Sequence, residues 1–140
     1  EWCISVGHCK SPHTYYSVAD MYMCTSLHEG LGTAILDAVI RDVPAVAPLS
    51  GGAPDIFNGD LEWLADENSG PPYEMVAERI LANLSKARQK AKRLGEWARW
   101  NFSEDTIVDR HAQLIRHLAL YDGQSEKNMT QHTKEIPFGT

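Results

Sequence analysis

Residues 29–37 read EGLGTAILD and carry the chain from a turn into an apolar helix. A strand-like run, residues 21–25, comes just before them, and Gly30 and Gly32 bracket the turn. Glycines between a strand and a helix let backbone N–H groups approach an anion at the start of the helix. The stretch therefore predicts a strand–turn–helix unit with a binding site for an anion and a polyol at its turn.

Asp37 is the one polar side chain between Ala34 and Ile40. A helix that is apolar on nearly all sides is normally buried, and a carboxylate buried without a partner is costly. We therefore expect a partner for Asp37. A pair of sugar hydroxyls, a basic side chain such as Arg41 one turn further on, or a backbone N–H could fill that role.

The strand–turn–helix pattern repeats through the first half of the chain. Strands are expected at residues 2–6, 21–25 and 45–47, with a short edge strand at 61–64, and helices at 11–18, 33–41 and 54–57. This alternation predicts an α/β fold, a parallel sheet with flanking helices. We expect an exposed sheet edge near residues 2–6, which would invite pairing or aggregation.

The second half of the chain is predicted to be helical. After Pro72 the apolar residues form two successive stripes, Val76, Ile80 and Leu84, then Ala87, Ala91, Leu94 and Ala98. Ser103 is the predicted N-cap of a last helix, whose buried side would hold Ile107, His111, Leu114, Ile115 and Leu118. We expect one domain over residues 1–121 and a disordered polar tail over residues 122–140.

Bulk properties limit the possible functions. The 140 residues, 43% of them hydrophobic, suit one globular domain. A net charge of −6 and a pI near 5.4 argue against a general nucleic-acid binder, which needs clustered Lys and Arg. Three cysteines, an odd number, fit a reducing cytoplasm better than a disulfide framework. No run approaches the roughly 18 apolar residues of a membrane-spanning helix, and a first residue other than Met suggests an excised piece.

Several motifs resemble, in their order, those of one enzyme family. They are Tyr16-x-x-Ala-Asp20, a strand, Ser26-x-x-Glu29-Gly-x-Gly, Asp37-Ala38, Pro44-x-Val46 and Gly51-Gly52-x-Pro54-Asp55-Ile56. Over residues 6–118 this order is similar to the donor-binding half of glycosyltransferase family 4, whose members have the GT-B fold and retain anomeric configuration. The resemblance implies a Rossmann-like sheet that is truncated at its N-terminus. The family usually has Glu at the positions of Asp37 and Asp55, so the charge is kept on a shorter side chain.

The resemblance also implies a role for each element of the site. Glu29 would orient the donor sugar at the catalytic centre, together with the backbone of Gly30, Leu31, Gly32 and Thr33, which would hold the diphosphate. Asp37 would bind the ribose, and Gly7, His8 and Cys9 would line the base. The implied ligand is a nucleotide-sugar, bound with no metal and no cofactor. The acceptor domain would be missing here or supplied by a partner chain. The family's Arg and Lys that stabilise the leaving group would come upstream of the first residue of this chain, so this chain alone is expected to be inactive.

Other readings of the sequence stay open. Cys3, His8, Cys9 and His13 lack the paired short spacings of structural zinc sites, so no metal site is expected. The basic stretch over residues 86–99 could contact anionic lipid headgroups at a membrane surface or simply form a solvated helix face. We expect a cytoplasmic protein, with membrane association as an alternative. A sugar-nucleotide 2-epimerase that shares this half-fold, and a non-catalytic binding module with a vestigial donor site, are the rival functions.

Overall fold

The computed structural model describes residues 3–66 and 68–132. In this part of the chain, three parallel strands form the sheet in the order β1 (Tyr22–Met23), β2 (Ala45–Pro48) and β3 (Leu64–Ala65). Tyr22 lies opposite Ala45, and Ala47 lies opposite Leu64. The fold is α/β, with a parallel sheet and flanking helices, and it is consistent with a Rossmann-like fragment. The fold class predicted from the sequence is confirmed.

The helices alternate with these strands and then follow them. In the described residues they are α1 (His13–Tyr16), α2 (Thr33–Val39), α3 (Ala53–Ile56), α4 (Tyr73–Ala82), α5 (Leu84–Asn101) and α6 (Glu104–His132), and a 3-10 turn, Leu61–Trp63, precedes β3. The strand expected at residues 61–64 is therefore displaced by this turn. Asp60 explains the displacement, because its Oδ1 accepts a hydrogen bond from the Glu62 N–H at 3.0 Å and stabilises the turn.

The central strand β2 forms the middle of the core. Ala45, Val46 and Ala47 are fully buried, because α2 and α4 pack on the strand. Flanking elements contribute further fully buried side chains, among them Ile35, Val39, Ile56, Phe57, Val76 and Ile80. The apolar stripe predicted on α5 is confirmed, since Ala87, Ala91, Leu94 and Ala98 are buried.

The strand predicted at residues 2–6 is wrong over its described part. Residues 3–6 have no regular structure, and Ile4 and Val6 are 86% and 57% exposed. A short strand is stable only when it pairs with a neighbour and buries one face, and these residues do neither. The sheet edge expected near residues 2–6 is therefore formed by β1 instead.

The chain separates into two compact units, Glu1–Trp100 and Asn101–Thr140. The domain predicted over residues 1–121 spans both of them. In the second unit, α6 continues to His132, through the first part of the segment predicted to be a disordered tail, and residues 133–140 lie outside the described residues. Residues 122–132 contain no proline, so no residue of that type ends the helix at Asp122.

The helix α6 starts where the sequence predicts, but the burial of its side chains differs from the prediction. Ser103 is the predicted N-cap, and its Oγ accepts a hydrogen bond from the Thr106 N–H at 3.2 Å. The expected buried side is wrong, because the side chains at His111, Leu114, Ile115 and Leu118 are exposed and Ile107 is half-buried. Helical spacing identifies an apolar stripe, but it does not supply the element that would cover the stripe.

Candidate functional site

The candidate site lies at the edge of the sheet where the three strands end. Because β1, β2 and β3 are parallel, their carboxyl ends lie side by side, and open α/β sheets bind ligands at that edge. The loops that leave the strands span residues 24–32, 49–52 and 66–72. The first of these loops contains the turn that the sequence predicts to be a binding site.

Gly32 shapes the end of this turn, directly before Thr33 begins α2. Its φ of 80° lies in the left-handed region that favours glycine, and an added Cβ would lie 2.7 Å from Ile35 Cδ1. No side chain caps the start of α2, and Gly30, Leu31 and Thr33 are exposed. Gly32 itself is buried, so Gly30 is the glycine of this turn whose backbone is open to solvent.

Glu29 presents an oriented carboxylate beside this turn. The Cys24 thiol donates a hydrogen bond to Glu29 Oε1 across 3.3 Å. Hydrogen bonds from Ser26 and then Cys24 lower the pKa of the Glu29 carboxyl below its usual value, because they favour the charged form. Cys24 is buried and Glu29 is half-buried, so the carboxylate is held from the protein side and faces the solvent side. It is an ionised acceptor, suited to hydroxyl donors.

The loop after β2 packs directly on the turn. Gly52 N–H donates a hydrogen bond to the Gly30 carbonyl at 2.6 Å. Gly51 has a φ of 56°, and an added Cβ there would overlap the carbonyl oxygen of Glu29. A Cβ on Gly52 would lie 3.0 Å from Leu31 Cα. The paired glycines therefore do more than bend the chain, because they let one loop of the site support the other.

Asp37 is neither buried nor isolated. Its side chain is 38% exposed, and its Oδ1 lies 3.0 Å from Arg41 Nη1. Arg41 also donates to the Asp37 carbonyl at 2.8 Å and lies 5.6 Å from the centre of the Tyr16 ring. Burial of Tyr16, and then the negative charge of Asp37, raise the pKa of the Tyr16 hydroxyl. Of the partners considered from the sequence, the structure shows the basic side chain at i+4, Arg41. The expectation of a buried carboxylate is wrong, because the face of α2 that carries Asp37 is partly exposed to solvent.

The residues expected to line the base lie in the irregular segment before α1. Gly7 and His8 are exposed and Cys9 is half-buried, and Gly7 has a φ of 64°. No hydrogen bond among the described residues joins them to the Glu29 turn. The structure brings Glu29, the turn and the Gly51 loop together, whereas it leaves this segment without a fixed connection to them.

Ser50 is a residue of this edge that the sequence reasoning missed. It follows β2 and precedes the paired glycines, and its Oγ is buried without a hydrogen-bond partner among the described residues. It lines a cavity of about 210 Å³ between the three loops, together with Leu27, His28, Pro48, Leu49, Ala65, Asp66, Asn68 and Tyr73. A hydroxyl residue at the carboxyl end of a predicted strand was the signal that could have found it.

Three of the six basic side chains in residues 86–99 of α5 form ion pairs with acidic side chains. Lys90 Nζ lies 2.7 Å from Asp60 Oδ2 and 2.6 Å from Glu62 Oε2. Two arginines of the stretch also form ion pairs, Arg88 with Asp20 at 2.5 Å and Arg99 with Asp42 at 2.9 Å. This pairing agrees with the solvated-face interpretation and leaves a contact with a membrane surface untested.

Residues 3–66 and 68–132 contain neither a membrane-spanning helix nor a cluster of metal-binding side chains. No helix among them is long and apolar enough to cross a membrane. Nor does this part of the chain bring three His, Cys, Asp or Glu side chains together as a metal site.

Comparisons with known proteins indicate a relationship to glycosyltransferases. The chain is 25% identical over 105 residues to the alpha-1,3/1,6-mannosyltransferase alg-2 of Neurospora crassa, across 71% of this chain and 22% of that protein. It is 28% identical over 103 residues to the lipopolysaccharide core biosynthesis glycosyltransferase LpsE of Rhizobium meliloti, across 72% of this chain and 30% of that protein. The chain thus spans less than a third of the length of either relative. No family model matches it, and no solved structure matches it.

Proposed function

We propose that the chain is the nucleotide-sugar-binding part of a retaining glycosyltransferase with the GT-B fold, similar to family 4. The turn at Glu29 carries this proposal. It combines an ionised, oriented carboxylate with the exposed Gly30 and an uncapped helix start at the carboxyl edge of a parallel sheet. The similarity to two glycosyltransferases supports sugar transfer as the reaction of the longer protein.

In this proposal the described residues hold the donor and its leaving group. Glu29 accepts hydrogen bonds from hydroxyls of the donor sugar, and the backbone N–H groups of residues 30–33 face the diphosphate. The bond between the anomeric carbon and the diphosphate breaks, and the acceptor oxygen bonds to that carbon from the same face, while the acceptor's proton passes to an oxygen of the departing diphosphate. Stabilising the departing diphosphate is an electrostatic task, which backbone donors and cations can perform. The acceptor and the cations would belong to another domain or a partner chain.

A second candidate is a non-catalytic binding module with a vestigial donor site. The pairing of Asp37 with Arg41 favours it, because a carboxylate already held by a guanidinium is a weaker partner for ribose. Recognition of the donor sugar belongs to the first candidate alone, whereas a vestigial site would bind the nucleotide at most. Comparison of free and sugar-linked nucleotides as ligands separates the two.

Titration calorimetry of the chain with ADP, GDP, UDP and their sugar conjugates tests the donor site. We expect weak binding of at least one nucleotide, unchanged by a metal chelator, and tighter binding of its sugar conjugate. Replacement of Glu29 by Gln should remove about 1.5–3 kcal/mol of the binding free energy of the sugar conjugate, the usual value for a charged hydrogen bond. Binding of the free diphosphate should stay the same.

The matched control for Glu29→Gln is Glu78→Gln, which removes an exposed carboxylate on α4. It should change neither titration. If no nucleotide binds, or binding requires added metal, the proposed donor site is wrong. If free and sugar-linked nucleotides bind equally, the module without transfer is the better description.

Replacement of Asp37 by Asn tests the proposed ribose contact. We expect it to weaken nucleotide binding by about 1–3 kcal/mol, because the proposed hydrogen bond from the ribose to the carboxylate is lost. It should cost only about 0.2–0.5 kcal/mol of stability, the value of a partly exposed i,i+4 ion pair. Arg41→Gln breaks the same ion pair and keeps the carboxylate, so it should bind nucleotide at least as tightly as the unchanged chain. Equal binding by Asp37→Asn and the unchanged chain would remove Asp37 from the site.

A further inference from the structure

The Ser50 hydroxyl has no hydrogen-bond partner among the described residues. Its oxygen is buried, and no described residue pairs with it. A hydroxyl taken out of water without a new partner is unfavourable, and buried polar groups in proteins are nearly always paired. A partner from outside the described chain is therefore expected at this oxygen.

The cavity beside Ser50 is larger than a single water needs. Its volume is about 210 Å³, whereas one water in the liquid occupies about 30 Å³. Pro48, Leu49 and Ala65 give it apolar surface. Polar side chains from all three loops and from the start of α4 also line it, namely His28, Ser50, Asp66, Asn68 and Tyr73. Apolar surface with a few convergent polar groups is typical of a small-molecule site.

The cavity adjoins the turn at Glu29. His28 lines it and is the residue before Glu29, while Gly51, next to Ser50, contacts the Glu29 backbone. The carboxylate that the proposed function assigns to the sugar and the unpaired hydroxyl thus belong to two loops in direct contact.

Other hydrogen bonds hold the far wall of the cavity. Asp66 Oδ1 accepts from the Asn68 N–H at 2.9 Å, and its Oδ2 accepts from Ser69 Oγ at 2.5 Å. The Tyr73 hydroxyl donates to the Ser26 carbonyl at 3.2 Å and so links the start of α4 to the loop after β1. These contacts fix the loops on both sides of Ser50, so that the cavity is preformed.

We propose that this cavity holds the sugar group of the donor and that Ser50 Oγ hydrogen-bonds one hydroxyl of that sugar, which makes Ser50 a specificity-determining residue. The inference rests on the proposed function. A serine hydroxyl can both donate and accept, as a sugar hydroxyl does. A site that pairs with a hydroxyl discriminates against an analogue that lacks it, because the site's own polar group is then left unpaired.

The test compares Ser50→Ala with the unchanged chain in titrations of the best-binding nucleoside diphosphate among ADP, GDP and UDP and of its sugar conjugates. We expect Ser50→Ala to bind the sugar conjugate about 3- to 10-fold more weakly, the value of one hydrogen bond. Binding of the free diphosphate should not change. Thermal unfolding should occur at the same or a higher temperature, because the hydroxyl has no partner within the described chain to lose. Ser17→Ala removes an exposed hydroxyl on the segment after α1, which donates to the Thr14 carbonyl, and should change none of these values.

Donor analogues in which each sugar hydroxyl in turn is replaced by hydrogen identify the contact. The analogue that lacks the contacted hydroxyl should bind the unchanged chain more weakly than the complete donor does. Ser50→Ala should bind this analogue at least as tightly as it binds the complete donor. If the unchanged chain binds no nucleotide, the proposed function and this inference fall together. If it binds the sugar conjugate more tightly than the diphosphate and Ser50→Ala keeps that difference, this inference alone is wrong. A clearly lower unfolding temperature for Ser50→Ala would also overturn it, since the hydroxyl would then serve the fold.

Discussion

Replacement of Gly51 by Ala is expected to destabilise the first unit by about 2–5 kcal/mol. A residue with a side chain at a φ of 56° costs about 1–2 kcal/mol for its backbone conformation alone. The new Cβ would also overlap the carbonyl oxygen of Glu29, and overpacking of this kind adds about 1–3 kcal/mol. The backbone fixes the positions of both the new Cβ and the carbonyl oxygen, so no side-chain rotation can relieve the overlap.

Urea unfolding followed by circular dichroism measures this loss. Gly59→Ala is the matched control, because Gly59 has a φ of 73° and nothing within 4 Å of an added Cβ. Gly59→Ala should lose only the unfolding free energy that the left-handed backbone conformation costs. The difference in stability between the two variants therefore measures the contact with the Glu29 turn. Equal stability of the two variants would show that the loop after β2 does not press on that turn.

The second large effect is expected for Phe57→Ala, which should cost about 3–5 kcal/mol of unfolding free energy. Phe57 is fully buried at the end of α3, and its ring meets the Trp63 ring edge-on, with centroids 6.3 Å apart. Lys90 covers the Trp63 ring, with its Nζ 4.7 Å from the centroid. Removal of the phenyl ring leaves a cavity in the middle of this stack, and small domains hold only about 5–15 kcal/mol in total.

The same unfolding experiment checks this value, with Trp fluorescence as a second signal. Tyr15→Ala removes an aromatic ring that is 48% exposed on α1, and it should change stability by no more than about 0.5 kcal/mol. A loss below about 1 kcal/mol for Phe57→Ala would mean that the core around α3 collapses into the space and is not closely packed.

The parts of the fold that sequence predicted well depend on short-range patterns. The spacing of Ala87, Ala91, Leu94 and Ala98 identifies the buried face of α5, and Ser103 identifies the start of α6, because helical periodicity and capping involve residues a few positions apart. The alternation of strands and helices likewise gave the parallel sheet. The strand at residues 2–6 failed because five apolar-leaning residues do not specify a pairing partner.

The turn that carries the candidate site was predictable from the sequence, but its contacts were not. The glycines around Leu31 mark the turn, since a strand-to-helix transition needs them. The support of that turn by Gly51, the thiol of Cys24 beside Glu29, and the unpaired hydroxyl of Ser50 depend on how separate loops approach in space. Asp37 shows the same limit, because its isolation in the sequence suggested burial, whereas the helix leaves it half exposed beside Arg41.

The contact between the Gly51 loop and the Glu29 turn has a consequence for how this sequence can vary. Carbonyl groups of the turn occupy the space that a side chain at position 51 would need, and one of them accepts the Gly52 N–H. An insertion in either loop, or a larger residue at position 51, would therefore have to be matched by a change in the other loop. The two segments should evolve as one unit, and libraries that diversify the turn to alter ligand choice should keep Gly51 and Gly52 constant.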